Sequence, residues 1–181
     1  MLYQKAKTAN QRHINAISVA SFSDSKMEVD SRFVNLKIVD NEDFIFFSNY
    51  NSPKAQQFLE HDQISALIYW GSINTQLRIK AKIKRLSAKQ NNNYFQTRSK
   101  EKNALAISSM QSKPIDSYDQ VIKNFNESLK KDDLKHCPKY WGGFSFVPYE
   151  FEFWTGHEYR LNQRTQFKLV NEVWEKILLQ P

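Results

Sequence analysis

The chain is poor in the residues that would commit it to several common chemistries. Its one cysteine, Cys137, excludes a disulfide framework and fits a reducing compartment. Four glycines, Gly71, Gly142, Gly143 and Gly156, are too few and too scattered for a glycine-rich phosphate loop or a dinucleotide fingerprint. The four histidines, His13, His61, His136 and His157, never approach metal-ligand spacing, so no metal is expected. His136 next to Cys137 reads as ordinary loop rather than as a catalytic dyad. No apolar run approaches the roughly 20 residues of a membrane helix, and the polar start MLYQKAKTANQRHINAIS has no signal-peptide core. The reading is a soluble cytoplasmic protein.

What is present is a core. Hydrophobic residues make up 40% and aromatics 14% of 181 residues, which excludes a disordered chain and suits one domain, 1–181. Five prolines and four glycines leave little room for linkers. A net charge of +7 favours anionic partners: phosphorylated small molecules, nucleic acid or acidic membrane.

Hydrophobic periodicity predicts mainly β structure with helical additions. Residues 2–12 read as a short helix within an N-terminal arm, 1–13. Residues 16–22, 32–39 and 44–48 read as strands joined by polar turns, an antiparallel meander. Ser52-Pro53 opens a helix, with serine at the N-cap and proline at the first position. Lys54 then sits in the first turn, unfavourable for the helix dipole unless an anion docks there. Residues 65–70 form a strand. In the next, 76–86, Leu77, Ile79, Ala81 and Ile83 alternate with Arg78, Lys80, Lys82 and Lys84, giving one buried and one cationic face. Ser87-x-x-Gln90 is a capping box for a helix to about Arg98, on which Tyr94 and Arg98 share a face. Ser117-x-x-Gln120 caps another, with an apolar stripe of Tyr118, Val121, Ile122, Phe125 and Leu129. Residues 110–114 form a polar loop. The end of the chain reads as strands at 141–147, 151–154, 166–170 and 173–178. Six to eight strands with peripheral helices suggest a small β-barrel.

The stretch FEFWTGHEYRLNQR, from Phe151 to Arg164, places the aromatic wall of Trp154 close in sequence to the planar cations Arg160 and Arg164. That combination suits a flat, anionic, heteroaromatic ligand.

Several runs fall into one ordered pattern. They are Arg32-Phe-Val-Asn-Leu-Lys37, Phe47-Ser48-Asn49 followed by Ser52-Pro53-Lys54-Ala55, Gln76, Tyr94-Phe95 with Arg98, Gln111-Ser112, Trp141-Gly142-Gly143-Phe144, Glu152-Phe153-Trp154, and Arg160-Leu161 with Arg164. In their order and spacing over about residues 14–181, the chain resembles the pyridoxamine 5′-phosphate oxidase family of FMN-binding split β-barrels. The resemblance implies a homodimer with two FMN sites at the subunit interface. Arg32, Val34, Lys37, Phe47, Ser48, Lys54 and Gln76 match cofactor-binding positions, joined by Gln111, Ser112, Trp154 and Arg164 from the second subunit. Lys37, Tyr94, Arg98 and Lys102 match the clamp on a substrate phosphate. Arg160 matches the catalytic arginine over the pyridine ring, and Arg160 and Asn162 both match substrate-binding positions. The implied reaction is oxidation of pyridoxamine or pyridoxine 5′-phosphate to pyridoxal 5′-phosphate, with hydride passing to flavin N5 and O2 reoxidising the flavin to give H2O2.

This chain departs from the family pattern at named positions. Pro53 stands in place of an arginine, Phe47 of a tyrosine and Lys102 of a serine. Leu105 and Ile107 replace glycine and tryptophan, and Asn162-Gln163 replaces His-Asp. Asparagine still donates a hydrogen bond but does not titrate near neutral pH. Three functions follow as expectations: the vitamin B6 phosphate oxidase; a diverged flavoprotein acting on another small aromatic substrate such as a phenazine precursor; and a non-enzymatic anion or nucleic-acid binder using the basic stripe.

Overall fold

The computed structural model describes residues 1–131 and 133–181. After helix α1 (Leu2–Thr8) come strands β1 (Ala16–Ser23), β2 (Glu28–Asn35), β3 (Ile38–Asp40) and β4 (Asp43–Asn49), helix α2 (Pro53–Glu60), then β5 (Gln63–Trp70) and β6 (Thr75–Arg85). Helices α3 (Ala88–Gln96), α4 (Lys100–Ser108) and α5 (Tyr118–Lys131) follow, and β7 (Trp141–Thr155), β8 (Gln163–Val170) and β9 (Val173–Leu179) close the chain.

All strand pairings are antiparallel, in the order β2-β1-β5-β6-β7-β4-β3, with β8 on β7 and β9 on β8. The expected antiparallel meander of the first three runs forms as two hairpins, because its middle run is split between β2 and β3. β1 pairs with β2, but β4 pairs with β3 and with β7, about a hundred residues later. Alternation shows which side chains face inward; it does not name the neighbouring strand. The strand expected at 32–39 is also two strands. The chain turns inward at Leu36, which is buried, and Lys37 N–H donates to the Ile45 carbonyl at the start of a new ladder.

The two strands expected at 141–147 and 151–154 are one, β7, which spans Pro148. Proline fits because β4 pairs with β7 only as far as Phe146 and β8 begins only at Glu150. A bulge opposite Lys80/Ala81 absorbs the extra residue. β7 therefore keeps β6 on one side and hands its other side from β4 to β8.

The core lies between the inner sheet face and α2. Phe46, Phe144, Phe146, Ile17, Val19 and Ile79 are essentially sealed from solvent, and Phe58 of α2 packs edge-on against Phe46 and Phe144. Burying aromatics of this size contributes roughly 1.5–3 kcal/mol each relative to exposure. The capping box at Ser87/Gln90 and the cap of Ser117 on Gln120 N–H are both formed. Helix α4 was not expected. It carries no apolar stripe, and Asn103 fills its core position by donating to the carbonyls of Phe95 and Leu134.

Candidate active site

Two groups of side chains gather on opposite portions of the sheet. The first begins where β4 runs into α2. Ser52 has the extended backbone of an N-cap, but its hydroxyl turns back to the Asn49 carbonyl instead of capping the helix. Lys54 is folded inward and 7% exposed, its ammonium 3.2 Å from Ser48 Oγ and 3.4 Å from Ser52 Oγ. No carboxylate pairs with it among the described residues. Burial, followed by the charge of Arg32, pulls its pKa down to about 8, against a smaller upward pull from Asp30. Arg32 approaches the middle of α2 from β2, reaching Ser21 of β1 and Gln57 of α2.

Beside this lies a cavity of about 340 Å³ lined by Lys37, Tyr94, Arg98 and Lys102, with Phe47 and Trp141 as walls. A neighbouring cavity of about 310 Å³ shares Phe47, Arg98, Lys102 and Trp141 and extends to Ser48 and Gln111. Tyr94 and Phe47 stack with centroids 3.7 Å apart, and Trp141 continues the stack 5.3 Å from Phe47. The Arg98 guanidinium lies 4.2 Å from the Trp141 ring centre. Its Nη2 donates to the Lys102 carbonyl, while Nη1 is buried with no partner in the described structure. Burial lowers the Arg98 pKa and raises that of Tyr94. A buried lysine bonded only to hydroxyls and a buried guanidinium nitrogen without an acceptor are both groups that an anion would satisfy.

The second group lies on the outer face of the sheet. The registers Tyr69↔Gln76, Gln76↔Trp154 and Trp154↔Arg164 align these four residues in one row across β5 to β8. In the next row Glu152, 6% exposed, accepts from Arg164 Nε at 2.8 Å and from Arg78 Nη1 at 2.9 Å. The Arg164 hydrogen bond, above all, holds the Glu152 carboxyl below its usual range. Lys80 pairs with Glu150 and Lys82 with Asp62, so most of the basic stripe is already neutralised. That weakens the nucleic-acid reading.

Arg160 and Asn162 sit in the loop after β7, whose hydrogen bonds stay close by. Asn162 Oδ1 accepts from His157 N, Gly156 N donates to the Asn74 carbonyl, and Arg160 adopts φ 62. Within one chain the structure brings Lys37, Tyr94, Arg98 and Lys102 together, and separately Arg32, Ser48 and Lys54. Gln76, Trp154 and Arg164 form the sheet row apart from both. Gln111, matched to a second subunit's flavin, accepts from Ser48 Oγ and Asn49 N of its own chain, and Ser112 follows at φ 65. Val34 packs partly buried against the core.

Sequence reasoning missed Trp141 as a cavity wall, and the ties of Asp30 and Gln57 to Arg32. The period-two spacing of Asp30 and Arg32 was the available signal.

Residues 5–128 match the family model described as pyridoxamine 5′-phosphate oxidase, and residues 141–181 match the pyridoxine 5′-phosphate oxidase C-terminal dimerisation region. The chain belongs to the pyridoxamine 5′-phosphate oxidase family. It is 34% identical to a pyridoxine/pyridoxamine 5′-phosphate oxidase of Coxiella burnetii, covering 99% of this chain and 91% of that one. Against the enzyme of the same description from Actinobacillus pleuropneumoniae, identity is 33%, with 98% and 85% covered. Among solved structures, PhzG from Burkholderia lata, in complex with tetrahydrophenazine-1-carboxylic acid, superposes with a TM-score of 0.92 at 24% identity, covering 99% and 89% of the two chains. A pyridoxamine 5′-phosphate oxidase-related, FMN binding protein from Nostoc punctiforme gives 0.83 at 12% identity, covering 99% and 95%. The fold is the split barrel of this family of FMN oxidoreductases, and Trp154 and Arg164 of the outer-face row fall within its dimerisation region. Among the described residues no helix is long and apolar enough to cross a membrane, and no His/Cys/Asp/Glu group has the makings of a metal site.

Proposed function

We propose that this protein is an FMN-dependent oxidase of pyridoxamine or pyridoxine 5′-phosphate, acting as a homodimer with two equivalent FMN sites at the subunit interface. The observation that carries this reading is the cavity where Lys37, Tyr94, Arg98 and Lys102 converge around an unpartnered guanidinium nitrogen, one residue along β4 from the Ser48–Lys54 pair. Two adjacent anion-binding ends suit two phosphates, one on the flavin and one on the substrate. Bound FMN supplies a two-electron acceptor that O2 returns to its oxidised state, with release of H2O2.

In this reading Arg32, Ser48 and Lys54 hold the flavin phosphate. Val34, Lys37, Phe47 and Gln76 flank its remainder, and Gln111, Ser112, Trp154 and Arg164 of a second copy close the site. Lys37, Tyr94, Arg98 and Lys102 hold the substrate phosphate and so position the reacting carbon. Arg160, on its loop, covers the pyridine ring, and the amide of Asn162 keeps an N–H to donate.

The test is turnover of pyridoxine 5′-phosphate by the FMN-loaded protein, following aldehyde and peroxide together. Both are expected, and Arg160→Ala is expected to reduce oxidation far more than FMN retention. A protein that holds FMN but produces neither product overturns the substrate assignment. The second reading, oxidation of another small aromatic substrate, is favoured by Asn162, whose carbonyl oxygen is committed to the loop backbone. It gains if other aromatic substrates are oxidised in place of the pyridoxine phosphate.

A further inference from the structure

Arg32 is more heavily engaged than an arginine kept for an incoming anion. Its Nη1 donates to Ser21 Oγ at 2.6 Å and to the Val19 carbonyl at 3.3 Å. Its Nη2 donates to Gln57 Oε1 at 2.7 Å and to Asp30 Oδ2 at 2.6 Å. Three of these acceptors are neutral, and both the Ser21 and the Gln57 side chains are buried. The fourth is the Asp30 carboxylate, 56% exposed, while Arg32 itself is only 16% exposed.

The sequence accounts for the arrangement. Asp30 and Arg32 are two residues apart on β2 and therefore share a face, opposite Ser21 and Val19 of β1. β2 is an edge strand, and α2 covers this face with Gln57 one turn beyond Lys54. The buried partners block the guanidinium from inside, so an anion arriving from solvent meets it on the side where Asp30 already lies.

We propose that Asp30 is a specificity-determining residue of the flavin phosphate site, where its carboxylate competes with the phosphate for Arg32 and restrains affinity for the phosphorylated cofactor. The inference rests on the FMN reading above. Phosphate entering this corner either displaces the carboxylate or shares the guanidinium with it, and either way two anions lie within a few ångströms. The charge offered to the phosphate is that of Arg32 and Lys54 less that of Asp30. Pro53 adds to the deficit, because the first helical position has no N–H to donate. Asp30 also supports the protonated form of Lys54, so the comparison belongs at about pH 6.5, where that lysine is charged with or without the carboxylate.

The experiment compares wild type with Asp30→Asn and Asp30→Ser, each freed of flavin, by quenching of flavin fluorescence with FMN and, separately, with riboflavin. Riboflavin lacks the phosphate and reports the rest of the site. The expected result is FMN binding roughly two- to fivefold tighter in both variants, the scale of one exposed charge interaction. Riboflavin binding stays unchanged, and the gain shrinks as salt is raised. Introducing Asp30→Asn into an Arg32→Met background should then give a smaller gain. If the variants bind FMN no more tightly than wild type, or gain equally for FMN and riboflavin, Asp30 does not compete with the phosphate and the proposal falls. If wild type and variants all fail to bind FMN, the cofactor reading itself is overturned and this inference with it, an outcome distinct from an unchanged FMN affinity.

Discussion

Lys54 Nζ lies 3.2 Å from Ser48 Oγ, held in a buried position by hydroxyls rather than by a carboxylate. With its pKa down to about 8, this ammonium titrates in a range where a surface lysine would not. An anion bound beside it favours the charged form, so the complex binds more protons than the free protein above about pH 8. Affinity for FMN is therefore expected to be flat in this respect below that pH. It should fall as pH rises further, by up to about tenfold per unit until the raised pKa of the complex is passed. The same shift acts on folding with its own sign: the buried charge costs stability below about pH 8, and the cost is relieved between there and the unfolded value of 10.5. Fluorescence titrations with FMN across this range check the point. Lys54→Met should bind more weakly at neutral pH and lose the step, and a wild-type affinity that rises with pH would contradict the assignment.

Arg98 offers a second test, at the other anion-binding end. Its stacking on Trp141 and its single bond to the Lys102 carbonyl fix the guanidinium while leaving Nη1 without an acceptor. A charge-assisted hydrogen bond to a phosphate oxygen contributes roughly 1.5–3 kcal/mol, so Arg98→Met should raise the KM for a phosphorylated substrate about ten- to hundredfold. Arg98→Lys should recover only part of this, because an ammonium reproduces neither the planar stacking nor the fork of donors. FMN retention should change little. Steady-state kinetics beside the flavin absorbance of the purified variants separate the two effects.

How much of this was legible in the residues depends on the kind of information each position carries. The alternation of Leu77 to Ile83 and the serine caps at Ser87 and Ser117 are local signals, and each produced the expected element. The pairing of β4 with β7 is not local: nothing in residues 43–49 names Trp141 to Phe146 as neighbours. Helix α4 escaped notice because a polar residue, Asn103, is buried at its centre and hides the period. The cations of the candidate site were visible as residue types in an ordered pattern. Their partners were not. That Arg78 and Arg164 converge on Glu152, or that Asp30 rather than solvent faces Arg32, follows from register and helix packing, which single-residue chemistry does not specify.

Gly142 provides a test of how the Trp141 wall is held. A Cβ at this position would fall 2.2 Å from Tyr50 Oη and 2.4 Å from Asn91 Nδ2. Neither atom is free to withdraw. Tyr50 Oη donates to the Gly143 carbonyl at 3.0 Å and accepts from Asn91 Nδ2 at 2.9 Å, and Asn91 Oδ1 accepts from Gly143 N at 2.8 Å. Adding a methyl group to such a packed, bonded site costs about 1–3 kcal/mol. Gly142→Ala should accordingly lower Tm by roughly 3–10 °C for a domain of this size. Since the same network sets the backbone beside Trp141, the KM for a phosphorylated substrate should rise with it. Gly71→Ala is the matched control: its Cβ would approach nothing nearer than the Tyr69 ring at 3.5 Å, an ordinary contact, and its φ is not positive. That variant should be neutral or slightly stabilising through the unfolded chain. Thermal melts of the two variants side by side decide it, and equal losses would mean that the Tyr50–Asn91 network yields easily and does not fix the wall.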